Sequence, residues 1–260
     1  NSASIRNGRN STGAATSGRS ENDKGKGFTM IVFITGATAG FGAAIARLFV
    51  SEGHKVVATG RRRERLDALA RELGGSLLPL ALDVRDRKAV GAAFAALPYG
   101  FAEVDVLVNN AGLALGLEPA QKADLDDWDT MVDTNIKGLL YCTRAALTGM
   151  VARNRGHVVN LGSVAAEFPY AGGQVYGATK AFVHQFGLSL RADLLGTAVR
   201  VTDIQPGMVG GTEFSDVRFH GDHEKALSMY EGADALTSED VADCVHWAAT
   251  RPPRVNINTI

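Results

Sequence analysis

The sequence has few features of a metalloprotein, a disulfide-stabilised protein or a membrane protein. Cys142 and Cys244 are the only cysteines in 260 residues, and neither belongs to a Cys-x-x-Cys pair or a zinc-type spacing. Two isolated cysteines favour a reducing compartment, so we predict a cytoplasmic protein in which both thiols are small core residues. The sequence also lacks an apolar run of transmembrane length and the apolar segment that a secretory signal requires.

The chain carries little net charge. Lys and Arg together number 27 and Asp and Glu number 28, which gives a formal net charge of −1. This balance provides no general attraction to nucleic acid or to an anionic membrane, and we predict neither as a partner. His220 and His223 lie close together, but no strand or helix is predicted around them, so we expect exposed side chains and no bound metal.

The first 29 residues differ in composition from the rest. They are rich in Ser, Gly, Asn and Thr, and their arginines resemble those of a transit peptide. Ile5 and Phe28 alone cannot form the apolar face that such a peptide needs. We therefore expect residues 1–29 to be a disordered leader of artificial origin, with Met30 as the natural start. Residues 30–260 contain no linker, which predicts a single domain.

Short apolar runs alternate with segments of helical periodicity from Met30 onward. The predicted strands cover residues 30–35, 54–59, 77–82, 104–109, 157–161 and 199–204. The predicted helices cover residues 43–52, 63–73, 86–97, 126–153, 176–195 and 238–250. Because the strands are continuous apolar runs, we predict an α/β fold, a Rossmann-type doubly wound parallel sheet with helices on both faces. Ligands of such folds bind beyond the carboxyl ends of the strands.

A glycine-rich segment, residues 35–42 (TGATAGFG), joins the first predicted strand to the first predicted helix. Glycines permit a tight turn and a close backbone approach, and the N-terminus of the following helix presents free N–H groups to a pyrophosphate. The spacing is G-x-x-x-G-x-G, and the lysine of a P-loop is missing. The residues predicted to bind the pyrophosphate are Gly36, Thr38, Ala39, Gly40, Phe41 and Gly42.

Arginines follow the second predicted strand, where NAD-binding folds often carry an acidic residue. Arg61 and Arg62 could hold the 2′-phosphate of NADP(H), so the sequence favours this cofactor. The alternative is a solvated run of charge that opens a helix, and we assign Arg63 and Arg65 to such a run.

Tyr176 and Lys180 are four residues apart at the start of a predicted helix, so they share a helix face. An ammonium group beside the phenol favours the phenolate and predicts a lowered Tyr176 pKa. A tyrosine with such a pKa is a proton donor or acceptor usable near neutral pH. Taken alone, the pair is more typical of an ordinary helix surface than of a catalytic site.

Together these motifs resemble the short-chain dehydrogenase/reductase family over residues 30 to about 258. The resemblance rests on the glycine spacing, the NNAG stretch at 109–112, Asn135, Ser163 and the Tyr176/Lys180 pair. Within the family, the chain is most similar to the NADP-dependent 3-hydroxy acid dehydrogenases. The resemblance implies that residues 30–260 form one NADP-binding domain and that the protein is a homotetramer with interfaces around residues 126–153 and 176–195.

The resemblance also assigns catalytic roles. Tyr176 would be the general acid in reduction and the general base in oxidation, and Lys180 would hold the nicotinamide ribose and lower the Tyr176 pKa. Ser163 would donate a hydrogen bond to the substrate carbonyl, and Asn135 would anchor a water that relays protons. Further cofactor contacts are implied for Asp83, Val84, Asn110, Ala111, Gly112, Pro206, Gly207, Val209 and Thr212.

The substrate is less constrained by the sequence. Residues 213–219 form the predicted lid, in which Arg218 is either a clamp for an acid group of the substrate or an exposed arginine. The leading hypothesis is an enzyme acting on a short 3-hydroxy acid or a serine-like substrate and its semialdehyde. The alternatives are a reductase of another small aldehyde such as sulfoacetaldehyde, or a non-catalytic NADP(H)-binding regulator.

Overall fold

The structure is a computed structural model that describes residues 28–260, so the predicted leader lies almost wholly outside the described residues. Within this range, the chain forms a six-stranded sheet with the order β3-β2-β1-β4-β5-β6. The strands are β1 (Ile31–Ile34), β2 (Lys55–Gly60), β3 (Leu77–Ala81), β4 (Val106–Asn109), β5 (Gly156–Leu161) and β6 (Val199–Ile204). Every neighbouring pair is parallel, which confirms the predicted doubly wound sheet.

Helices connect the strands and cover both faces of the sheet. They are α1 (Gly40–Ser51), α2 (Arg63–Leu73), α3 (Arg87–Ala95), α4 (Leu125–Val132), α5 (Leu139–Ala152), α6 (Gln174–Asp193), α7 (Phe214–Arg218), α8 (His223–Ser228) and α9 (Ser238–Ala249). The predicted single helix over 126–153 is wrong in one respect, because a π-helical segment, Asp133–Gly138, separates α4 from α5. Such segments frequently mark functional sites.

The sheet divides the core into two apolar layers. In β1, Val32 and Ile34 pack into the layer under α1, α2 and α9, whereas Phe33 points into the opposite layer under α3, α5 and α6. This alternation follows from the two-residue period of a strand. Both faces are therefore buried, which explains why the strands are continuous apolar runs. Cys142 lies in the second layer and Cys244 packs against the first, as predicted for core residues.

The C-terminal segment covers the outer edge of β6. The Asp203 amide donates to the Asn258 carbonyl at 3.0 Å, and the Ile260 amide donates to the Asp203 carbonyl at 3.0 Å. The Thr202 hydroxyl donates to the Ile257 carbonyl at 2.6 Å. These bonds occupy backbone groups that an open edge strand would expose. Across residues 28–260, no helix has the length and apolarity needed to cross a membrane.

Candidate active site

A cleft of about 310 Å³ opens beyond the carboxyl ends of the central strands. Most of the residues predicted to bind the cofactor line it: Gly36, Thr38, Ala39, Gly40, Phe41, Arg61, Arg62, Asp83, Val84, Asn110, Ala111, Gly112, Tyr176, Lys180 and Thr212. Four predicted cofactor residues lie outside the lining: Gly42, Pro206, Gly207 and Val209. Val209 is buried in the apolar core and forms a β-bridge with Leu236.

The glycine-rich segment brings α1 close to the end of β4. Gly36 and Gly40 have φ angles of +68° and +49°, which L side chains rarely adopt. A Cβ on Gly42 would overlap the Gly36 carbonyl oxygen and lie 2.6 Å from Asn110 Nδ2. Gly42 therefore permits close packing within the loop, even though it does not line the cleft.

The same segment leaves a place for a phosphate at the start of α1. Ala39, the N-cap residue of α1, makes no side-chain hydrogen bond within the described residues. The first-turn N–H groups of a helix without a side-chain cap are available to an anion. The loop, the cleft and the adjacent arginines therefore fit a dinucleotide with phosphate groups.

Arg62 and Arg65 both contact the lid. Arg62 Nη1 lies 2.8 Å from Glu213 Oε2, and Arg65 Nη1 lies 2.6 Å from Glu213 Oε1. Arg65 is exposed, as expected of a solvated charge run, and Arg63 pairs with Asp67 along the exposed face of α2. The pairing of Arg65 with Glu213 has no local signal in the sequence, because its partner lies on a distant segment.

Asn135 lies in the π-helical segment and fixes the loop that follows β4. Its Oδ1 accepts from the Leu113 amide at 2.9 Å, and its Nδ2 donates to the Leu113 carbonyl at 2.8 Å. Nδ2 also donates to the Thr179 hydroxyl of α6 at 3.0 Å. Asn135 thereby connects α6, which carries Tyr176 and Lys180, to the wall of the cleft.

Tyr176 lies in the first turn of α6, and Lys180 follows one turn later. Lys180 Nζ lies 5.7 Å from the centroid of the Tyr176 ring and donates to the Leu161 carbonyl at 2.6 Å. Ser163 ends the segment after β5, and its hydroxyl accepts from the Ala165 amide at 3.1 Å. The Ser163 side chain also acts on the Tyr176 phenol, whose pKa it lowers. Tyr176 and Lys180 therefore line the cleft, whereas Asn135 and Ser163 lie outside its lining, with Asn135 bonded to Thr179 next to Lys180.

Burial dominates the protonation of the Tyr176/Lys180 pair. Desolvation raises the pKa of Tyr176, while the hydrogen bond to Ser163 and the charge of Arg218 act in the opposite direction. Desolvation lowers the pKa of Lys180 to about 8, and Asp203 acts against this shift. The expectation that Lys180 lowers the Tyr176 pKa is therefore wrong for this structure, because burial outweighs the favourable charges.

Arg218 is buried at the junction of the lid and the catalytic residues. Its side chain is only 7% exposed, so the alternative of an exposed lid arginine is wrong. Nη2 donates to the Tyr170 hydroxyl at 2.6 Å, and Nε has no hydrogen-bond partner among the described residues. The guanidinium carbon lies 5.4 Å from the centroid of the Tyr176 ring. Arg218 also lines an adjoining cavity of about 230 Å³.

The histidines of the segment after α7 contact carboxylates. His220 Nε2 lies 3.0 Å from Asp127 Oδ2, and His223 Nδ1 lies 2.8 Å from Asp216 Oδ1. Both histidines are exposed, as predicted. The part of the chain that the structure describes contains no group of three or more side chains suited to hold a metal.

The family model for short chain dehydrogenase matches residues 30–222. The chain belongs to the short-chain dehydrogenase/reductase family. It is 66% identical over 231 residues to the NADP-dependent 3-hydroxy acid dehydrogenase YdfG of Salmonella typhi, covering 89% of this chain and 93% of that protein. It is 54% identical over 229 residues to the serine 3-dehydrogenase of Agrobacterium fabrum, covering 88% of this chain and 91% of the relative.

Solved structures of the family have the same fold. The closed form of serine dehydrogenase complexed with NADP⁺ matches with a TM-score of 0.88 and 62% identity, covering 89% of this chain and 93% of that chain. Serine dehydrogenase from Escherichia coli matches with a TM-score of 0.80 and 57% identity, covering 89% and 96%. These likenesses confirm the family and the fold that the motifs predicted.

The predicted lid, residues 213–219, contributes three residues to the cleft for which the sequence predicted no individual role. Glu213, Phe214 and Val217 line the cleft, and the Phe214 ring lies 5.7 Å from the Tyr176 ring, edge to face. The Tyr170 hydroxyl accepts a hydrogen bond from Arg218 Nη2. The position of Glu213 directly after Thr212 was the available signal, since Thr212 was already assigned to the cofactor site.

Proposed function

We propose that the protein is an NADP(H)-dependent oxidoreductase that interconverts a short 3-hydroxy acid, or a serine-like substrate, and its oxo or semialdehyde form. The observation that carries this proposal is a buried guanidinium, Arg218, beside a half-buried phenol, Tyr176. The phenol suits proton exchange with a carbonyl oxygen, and the guanidinium suits an acid group a short distance away. A protein that only binds a cofactor needs neither group at this position.

Tyr176 holds the proton that the reaction transfers. Its raised pKa keeps the phenol protonated, so its hydroxyl can donate to the carbonyl oxygen in reduction. In oxidation, the tyrosine oxygen receives the proton from the alcohol. The Ser163 hydroxyl would donate a second hydrogen bond to the same substrate oxygen. When bound, NADP(H) supplies or accepts the hydride.

Lys180 would hold the cofactor at its nicotinamide half. Its pKa of about 8 leaves the ammonium form predominant at neutral pH, and one of its three N–H groups is bound to the Leu161 carbonyl. The remaining donors are available to the ribose of the nicotinamide half. Asn135 holds α6 and the loop after β4 in place around this ammonium group.

Arg61 and Arg62 would hold the 2′-phosphate of the cofactor. Both line the cleft directly after β2. The acidic residue that binds the ribose hydroxyls of NAD in many such folds is not present at this position. The names of the relatives support this choice, since the YdfG proteins are called NADP-dependent and a serine dehydrogenase was solved with NADP⁺. Residues of the glycine-rich segment would bind the pyrophosphate.

Arg218 would bind the acid group of the substrate. Its Nε is buried without a partner among the described residues, and a buried donor of this kind gains most from a charged acceptor. A carboxylate and a sulfonate both satisfy a guanidinium, so sulfoacetaldehyde remains the second candidate substrate. The names 3-hydroxy acid dehydrogenase and serine 3-dehydrogenase favour the carboxylate.

A substrate panel tests the proposal. L-Serine, L-allo-threonine, 3-hydroxypropionate, 3-hydroxyisobutyrate and isethionate are each supplied with NADP⁺ or NAD⁺, and the formation of reduced cofactor is followed by absorbance. We expect turnover of at least one hydroxy acid with NADP⁺ and much lower kcat/KM with NAD⁺. Turnover of isethionate alone would select the sulfonate alternative, and no turnover of any member would contradict the proposal.

We also propose a homotetramer in the cytoplasm. Apolar side chains on and beside the long helices α5 and α6 remain exposed in the single chain, including Val151, Leu188 and Leu195. Both cysteines are unpaired, as expected in a reducing compartment. Light scattering after gel filtration should give about four times the chain mass, and cell fractionation should place the protein with the cytoplasmic enzymes.

A further inference from the structure

Glu213 binds Arg62, one of the two arginines predicted to hold the 2′-phosphate, and Arg65, which lies three residues further along the chain. Its two carboxylate oxygens are divided between them, with Oε2 2.8 Å from Arg62 Nη1 and Oε1 2.6 Å from Arg65 Nη1. The two arginines lower the pKa of Glu213 against the opposing effect of its burial, so its carboxylate is ionised at neutral pH. An anionic lid residue therefore occupies guanidinium groups suited to a phosphate.

The donors of Arg62 are largely committed in this arrangement. Besides its bond to Glu213, Arg62 donates from Nε and Nη2 to the Thr38 hydroxyl, at 3.3 and 3.0 Å. A guanidinium has five N–H donors in a fixed fork, and a bidentate phosphate contact needs two adjacent donors on one edge. A bidentate phosphate contact on the Nε/Nη2 edge of Arg62 would therefore replace the Thr38 hydroxyl.

Glu213 also connects the phosphate site to the substrate site. It precedes α7, a single short helix that ends with Arg218, the residue beside Tyr176. Phe214, the first residue of α7, contacts Tyr176 through its ring. A change in the pairing of Glu213 therefore acts on the helix that carries the predicted substrate clamp.

We propose that Glu213 is a specificity-determining residue that competes with the 2′-phosphate of NADP(H) for Arg62 and Arg65. When no cofactor or NAD(H) is bound, the Glu213 carboxylate holds the lid to these two arginines. When NADP(H) binds, its 2′-phosphate replaces the carboxylate and releases the start of α7. This inference rests on the proposed function, because it takes NADP(H) as the cofactor and Arg62 as a phosphate ligand. Binding energies at the two sites are then linked reciprocally.

The test is the conservative variant Glu213→Gln, which keeps the side-chain size and removes the charge. Dissociation constants of NADP⁺ and NAD⁺ are measured by titration calorimetry with the full chain. Removing the competing carboxylate should tighten NADP⁺ binding about three- to tenfold and change NAD⁺ binding less than about twofold. Glu72→Gln is the matched control, because Glu72 forms an exposed ion pair with Arg47 away from the cleft, and it should change neither constant.

Hydrogen exchange of the lid gives a second measurement. In the wild-type protein, NADP⁺ should leave the amides of residues 214–219 less protected than NAD⁺ does, and in Glu213→Gln this difference should disappear. Unchanged or weaker NADP⁺ binding by Glu213→Gln would overturn the inference, since Glu213 would then support the arginines or be irrelevant to them. A wild-type protein without preference for NADP⁺ would instead contradict the proposed cofactor, and the inference would fall with it.

Discussion

The nucleotide region and the substrate region of the cleft are built in different ways. The nucleotide region consists of residues 35–42, 60–62, 83–85 and 109–112, which follow four strands of the sheet. The substrate region consists of residues 163–170 and the lid, residues 213–219, which meet through side chains such as Arg218 and Tyr170. Backbone geometry at the ends of strands forms the first region, whereas contacts between distant segments form the second.

The two regions should respond differently to amino-acid substitutions. In the nucleotide region, the close approach at Gly42 is between backbone groups and one amide side chain, so an added atom has no space. In the substrate region, a few charged and aromatic side chains determine which ligand fits. Substitutions in the first region should therefore affect folding, and substitutions in the second should affect chemistry and specificity.

The largest effect is expected for Tyr176→Phe, at the boundary of the two regions. The variant lacks the hydroxyl that exchanges the proton, so kcat should fall by a factor of about 10² to 10⁴. Because the ring and its contact with Phe214 are retained, the dissociation constant of NADP⁺ should stay within about twofold, measured by fluorescence titration. Turnover that survives with unchanged cofactor binding would show that Tyr176 is not the acid/base.

The next largest effect is expected for Arg218→Met in the substrate region. Loss of a charge-assisted hydrogen bond costs about 1.5–3 kcal/mol, so KM for hydroxy acids should rise about 10- to 100-fold. Neutral alcohols of similar size are the control, and their kinetic constants should change much less. Arg218→Lys should recover part of the loss, because it restores the charge without the fork. Equal losses on acidic and neutral substrates would contradict the clamp.

Lys180→Met should inactivate the enzyme and stabilise the fold at neutral pH by about 1–3 kcal/mol, because it removes a buried charge. Burial lowers the Lys180 pKa from 10.5 to about 8. Below about pH 8, Lys180 is protonated in both the folded and the unfolded state, and burial of its charge lowers the free energy of unfolding. This loss of stability decreases as the pH rises from about 8 to 10.5, because the folded state releases its proton before the unfolded state does. The advantage of the variant in urea denaturation should therefore shrink between about pH 8 and 10.5. An advantage independent of pH would contradict this reasoning.

The smallest effects are expected on the stability of the protein, from alanine substitutions at two glycines, Gly42 and Gly91. Gly42→Ala should destabilise the protein by about 1–3 kcal/mol, because its Cβ would meet backbone atoms in the nucleotide region. Gly91→Ala is the matched control in α3, where a Cβ meets nothing within 4 Å, and it should stabilise the protein by about 0.5–1 kcal/mol. Thermal unfolding of both variants measures the difference, and similar Tm values would remove the argument for close packing at Gly42.

The sequence predicted much of this molecule because the relevant signals are local. The periodicity of each segment specified the strands and helices, and the continuous apolar strands specified a sheet buried on both faces. The prediction over 126–153 failed at the π-helical segment because the bonds of Asn135 to Leu113 and Thr179 depend on segments distant in sequence. Most residues predicted for the cofactor lie in the cleft, and their roles stay predictions.

What the sequence alone determined is the sheet, its covering helices and the placement of polar residues beyond the strand ends. Tertiary structure decided three further features: the burial of Arg218, the pairing of Glu213 with Arg62 and Arg65, and the raised pKa of Tyr176. The physical reason is that periodicity and glycine spacing are properties of neighbouring residues. Desolvation and long-range ion pairs exist only after segments far apart in the chain have packed together.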